Sequence, residues 1–177
     1  MGAGTISDAA FERVGGVLLR ALDSMTIEQL RRQPAGPESN PMGWLAFHLS
    51  RVHDRSFSQI LGKQQAWSEG KWFAKFGLPE ETGSLGGSTL DQVHGFDPVG
   101  AELLADYWRA ARERSREFLT ALRDDQLDTP SPEGVGPVGV SETFALTVAR
   151  VTGDTHQHVG QVAYARGLVD KHGWYGA

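Results

Sequence analysis

Asp154 and His158 stand four residues apart in the stretch Asp154-Thr-His-Gln-His158-Val-Gly-Gln161. A helix turns about 100° per residue, so this spacing projects both side chains from nearly one line. Phe144, Val148, Val151 and Val162 around them repeat at the three-or-four interval of a buried face. An acid and an imidazole therefore fall where a core stripe should continue. Buried without partners, a polar group costs on the order of 2–7 kcal/mol and a charge more, so this pair requires a cation or another buried polar side chain. His48 is such a side chain, in line with Trp44 and Val52 on a second helical run. Two histidines and a carboxylate facing one interior are ligands that zinc, nickel or ferrous iron accept. Three protein ligands leave an open position, where bound water or a bound thiol loses its proton at neutral pH. The plainer alternative is a buried Asp154–His158 hydrogen bond, with His48 packed elsewhere.

The other histidines do not fit this face. His156 is two positions from both Asp154 and His158 and points about 200° away. His53 points about 140° away from His48, which places it at the surface or behind the ligands. His94 falls in a loop and His172 in the tail, and neither receives a role. Gly134-Val-Gly136-Pro-Val-Gly139 has the spacing of a dinucleotide fingerprint, but Ser-Pro-Glu stands where that motif needs a strand, so the glycines read as loop punctuation. Trp44, Trp67, Trp72 and Phe76 are read first as core and second as walls of a pocket.

These residues need helices to hold them. Ser7 as an N-cap opens a first helix through Phe11, Val14, Leu18 and Met25. Thr26-Ile-Glu-Gln29 has capping-box spacing and opens a short turn of helix. Asn40-Pro41 starts a second long helix, running to about Leu61 and carrying His48. Residues 62–97 form a long crossover holding a short helix from about Trp67 to Phe76. Asp97-Pro98 starts a third helix to Leu122, with Arg109, Arg112, Glu113, Arg116 and Glu117 on a solvated face. After a proline- and glycine-rich loop from Asp124 to Val140, Ser141 and Glu142 start a fourth helix, which frays after Gly167. The fold class expected is all-α: a four-helix bundle, up-down-down-up, with a long crossover between helices two and three.

The 177 residues suit a single domain over 1–177 with one core. Seventeen Lys and Arg against 22 Asp and Glu leave a net charge of −5, which favours neither nucleic acid nor anionic lipid as a partner. There is no cysteine, so any thiol chemistry needs an external thiol. The N-terminus has neither a basic start nor an apolar run, and nowhere do about 18 apolar residues occur together, which points to a cytoplasmic protein.

Asn40-Pro-Met-Gly-Trp-Leu-Ala-Phe-His48-Leu and His158-Val-Gly-Gln-Val-Ala-Tyr-Ala-Arg166-Gly-Leu168 resemble the two signature segments of the DinB-like superfamily, which includes the mycothiol-dependent maleylpyruvate isomerases. The Asp-Asp-Gln-Leu127-Asp-Thr-Pro130 segment extends the likeness. The resemblance implies a four-helix bundle binding one divalent metal, with His48 and His158 at ligand positions. Asp154 stands where histidine is common in the family and resembles the carboxylate of the mycothiol-linked branch. A carboxylate also admits harder metals, so zinc, nickel, iron and manganese all qualify. The implied activity is a thiol-dependent S-transferase or isomerase that joins an external low-molecular-weight thiol to a small-molecule substrate. A metal-dependent hydrolase and a non-catalytic, metal-binding stress-response bundle are the alternatives. A homodimer is expected by analogy with the family.

Overall fold

The computed structural model describes residues 2–171. The chain forms helices α1 (Ala3–Leu22), α2 (Ile27–Arg31), α3 (Met42–Ile60), α4 (Ala66–Glu69), α5 (Trp72–Phe76), α6 (Leu90–His94), α7 (Ala101–Ala121) and α8 (Phe144–Asp170), with a 3-10 turn at Asp124–Gln126. Among the described residues there is no strand, only an isolated bridge between Pro130 and Thr143. The protein is all-α, as expected. No helix is long and apolar enough to cross a membrane among these residues.

α3 is the central helix: Val52, Arg55 and Gln59 apart, all of its residues are buried. It packs along α7, where Phe57 meets Phe118 at 5.9 Å, and along α8, where His48 meets His158 at 4.8 Å. α1 also lies against both α7 and α8. At its start Gly4 faces the end of α7, so closely that a β-carbon there would stand 2.3 Å from the Leu119 carbonyl oxygen. At its end, Arg166 of α8 donates to the carbonyls of Ala21 and Asp23 at 3.1 and 2.8 Å. The core between these helices holds Phe11, Leu18, Leu49, Phe57, Trp108 and Val159.

A helix buried nearly all round must satisfy its own polar groups. Asp54, fully buried, accepts from the backbone N–H groups of Ala66 and Trp67 (2.8 and 2.9 Å), from Ser58 Oγ (2.9 Å) and from the Tyr107 hydroxyl (2.8 Å). Burial pushes the Tyr107 phenol well up, so the hydroxyl keeps the proton it donates to Asp54. Arg51 lies 3.6 Å from the same carboxylate and 4.4 Å from the centre of the Trp67 ring. This cluster locks the start of the crossover onto α3.

The boundaries differ from the spacing where caps come from elsewhere. α1 begins at Ala3, ahead of Ser7, because Asp124 Oδ1 accepts from the Ala3 N–H at 2.8 Å, a cap supplied from 121 residues away. α7 begins at Ala101 and not at Pro98, because Val99 adopts a positive φ of 58° and Asp97 turns to Arg31 at 2.7 Å. α8 starts after Thr143, which accepts from the Leu146 N–H, while Glu142 turns back to Arg150 at 2.8 Å. The crossover contains two short helices, α4 and α5, in place of one, divided at Gly70 and at Lys71 with its φ of 48°. It also contains α6, opened by a Thr89–Gln92 capping box. α8 runs through Gly167 to Asp170, so no fraying starts there; the rest of the tail, with His172, lies outside the described residues. Arg112 corrects the reading of α7's charges: it is buried, bound to Asp8 and Ser115, while Arg109 and Arg116 stay exposed.

Candidate metal centre

His48 enters from α3 and is held on two sides. The Trp44 ring, one turn earlier, stacks on it at 4.9 Å and an interplanar angle of 5°. Its Nδ1 lies 2.6 Å from the Ser84 carbonyl of the crossover. A carbonyl only accepts, so Nδ1 carries the proton and Nε2 presents its lone pair. His158 enters from α8, half-buried, with Nδ1 2.7 Å from Gln161 Oε1 one turn later. The same reasoning frees its Nε2. Both bare nitrogens face Asp154: Oδ1 is 4.0 Å from His48 Nε2 and 3.5 Å from His158 Nε2.

The three residues offer donor atoms that all lie within 4.8 Å of one another. Asp154 Oδ2 is buried and has no hydrogen-bond partner. An ionised carboxylate oxygen in that state is costly unless a cation answers it. The donors, two imidazole nitrogens and one carboxylate, suit zinc, ferrous iron, nickel or manganese. Each histidine also has the support that metal-bound imidazoles have, an acceptor on the nitrogen facing away. The residues fit a divalent ion.

The electrostatics separate the two histidines. Burial holds His48 below the usual histidine range, against the opposing pull of the Ser84 bond and the Asp154 charge. His158 is raised, chiefly because its protonated form would donate Nε2–H to the Asp154 carboxylate, which outweighs its burial. Both sit beside one carboxylate: His158 is nearer to it, at 3.5 against 4.0 Å, and His48 is the more deeply buried.

The remaining candidates fall outside this cluster. His156 is exposed on the far face of α8, with Nδ1 2.8 Å from the Thr152 carbonyl, as its spacing requires. His53 is neither a surface residue nor a support of the centre. It is fully buried between α3 and α7, with Nε2 2.7 Å from Ser115 Oγ. His94 ends α6, exposed beside Gln33. Trp44 walls the centre, whereas Trp67 and Phe76 pack on Phe47 and Tyr107 in the core and Trp72 lies against Tyr107. The glycine run from Gly134 to Gly139 is a loop before α8, with positive φ at both ends, and no strand precedes it. Two supports escape the spacing. Gln161 was accessible as a residue three after His158 on one helix. The Ser84 carbonyl carried no signal, since every residue has one.

A model of the DinB superfamily matches residues 10–162 of the chain. Among solved structures, a conserved protein from Enterococcus faecalis superposes with a TM-score of 0.82 at 24% sequence identity, covering 97% of this chain and 99% of that one. At that identity the likeness shows the fold. No curated protein matches the sequence.

Proposed function

Since the chain belongs to the DinB superfamily, we propose that His48, Asp154 and His158 hold one divalent metal ion and serve a thiol-dependent S-transferase or isomerase. The observation that carries the metal is the Asp154 carboxylate, whose Oδ1 faces two imidazole nitrogens freed to coordinate and whose Oδ2 is buried and unpartnered. The proposal extends to one up-down-down-up bundle over residues 1–177, paired as a homodimer. Two contacts support the bundle: Phe57 against Phe118 far along α3 and α7, and Gly43 against Pro98 at their starts.

A divalent ion in this position supplies Lewis acidity, which lowers the pKa of a thiol or water in its open coordination position. The chain's own residues do the rest. Ser84 and Gln161 keep both imidazoles in the coordinating tautomer. Asp154 cancels part of the positive charge. With no cysteine in the chain, the thiol is an external small molecule, and its partner is an electrophilic small molecule. The net charge of −5 argues against nucleic acid.

The test is elemental analysis of protein purified without an affinity tag, followed by thermal melts with a chelator and with a panel of low-molecular-weight thiols. About one metal per chain, a melting temperature that falls with chelator and rises with one thiol is the expected result. Metal without any thiol response rejects the transferase and leaves a hydrolase or a purely structural ion. No uptake of zinc, nickel, manganese or iron rejects the ligand set.

A further inference from the structure

The crossover reaches the centre through its main chain. Three of its carbonyls meet donors from α3 beneath, Thr82 receiving Arg51 Nη2 at 2.5 Å, Gly83 receiving Arg51 Nε at 3.4 Å and Ser84 receiving His48 Nδ1 at 2.6 Å, and a fourth, Glu80, receives Trp67 Nε1 of the crossover's own α4 at 2.8 Å. Gly86 then passes over the His48 ring, close enough that a β-carbon would stand 3.6 Å from Cε1. Arg51 and His48 are three residues apart, so both face this segment from one side of α3.

We propose that Arg51 is a positioning residue for the centre: by holding the Thr82 and Gly83 carbonyls it sets the Ser84 carbonyl on His48 Nδ1 and so aims His48 Nε2 at Asp154 and His158. This rests on the metal reading above. Arg51 is 3% exposed. Its Nη1 already donates to Gln65 at 2.9 Å and to Tyr107 at 3.0 Å, beside the Asp54 charge, which provides for its burial. The Nε and Nη2 edge is directed instead at two consecutive carbonyls of a segment that has no helical hydrogen bonds of its own. Only a guanidinium presents donors in such a rigid fork; an ammonium is a single point. Without that fork the segment lifts, the Ser84 carbonyl leaves, and buried His48 Nδ1 has no acceptor.

The experiment uses the full chain, metal-free and labelled with 15N-histidine, with long-range proton–nitrogen spectra to read the His48 tautomer and a Co2+ titration to read affinity and ligand-field bands. Arg51→Lys keeps a positive charge opposite Asp54 and removes the fork; Arg51→Met removes both. Arg112→Lys weakens a buried ion pair elsewhere and controls for lost stability. All are measured where circular dichroism shows them folded, and Arg51→Lys carries the comparison if Arg51→Met does not fold. Wild type is expected to show Nδ1–H at His48. In Arg51→Lys the Nε2–H form gains, Co2+ affinity falls roughly ten- to a hundredfold and the bands shift, while Arg112→Lys changes neither tautomer nor bands. Wild-type tautomer, affinity and bands in Arg51→Lys overturn the role of Arg51 and leave the metal centre standing. Wild type that takes up no Co2+ overturns the metal reading and this role with it.

Discussion

Asp154, His158 and His48 were legible from residue type and helical spacing, because all three are chemically unusual on an apolar stripe. His158→Ala is expected to remove most of the bound metal, whereas His156→Ala, on the opposite face, leaves it in place; elemental analysis of both variants checks this, and equal losses contradict the geometry. His53 was not legible. Spacing shows only that it turns away from His48, and on a helix buried nearly all round, turning away leads to another interior. There its ring meets Phe11, Phe57 and Trp108, each at 4.7–4.9 Å, and Nδ1 has no partner. Burial, followed by the nearby Arg112 charge, drives its pKa well below the histidine value of 6.5. The folded state thus refuses a proton that the unfolded chain binds. The resulting stability is present above about pH 6.5 and lost as pH falls from there toward the folded value, at up to about 1.4 kcal/mol per pH unit. Urea melts between pH 7.5 and 5 should show this slope in the wild type and a shallower one in His53→Gln. Parallel slopes refute the assignment.

Among the elements, a cap in a helix's own sequence was read in one short helix and missed in others. Thr26–Gln29 forms the expected capping box, and Thr89–Gln92 forms the same box at the start of α6, a signal obscured by the glycines around it. The start of α1 was unreadable because its cap, Asp124, follows α7 in the chain. α1 and α7 approach closely at Gly4, where a β-carbon meets a backbone oxygen that cannot move without moving the helix. Gly4→Ala should therefore destabilise the protein by about 1–3 kcal/mol. Gly16→Ala on the same helix, whose β-carbon meets only the flexible end of Arg20 at 3.6 Å, should stabilise it by roughly 0.5–1 kcal/mol. Denaturant melts measure both, and effects of the same sign show that the close approach is not what matters.

At the scale of the molecule, the centre joins α3, α8 and, through Ser84, the crossover, while the α1–α7 seam lies apart from it. Binding raises the cost of every opening that releases the ligand, by about 2.7 kcal/mol at a hundred times Kd, and leaves local openings that keep the site intact unchanged. Chelation should accordingly speed hydrogen exchange in the first half of α3, in residues 82–88 and in α8 around 149–162, and leave the facing ends of α1 and α7 unchanged. Exchange followed by mass spectrometry reads this directly, and a uniform increase along the chain excludes a local tie. The all-α class was legible from composition and period; the path of the crossover was not, because main-chain carbonyls hold it and they have no letter in a sequence. That same anonymity makes the crossover editable. Its anchors at 80, 82, 83 and 84 survive any substitution that keeps the backbone path, so the side chains there can be rewritten as a library while His48 stays aimed, which makes this segment the natural place to vary the surroundings of an unchanged centre.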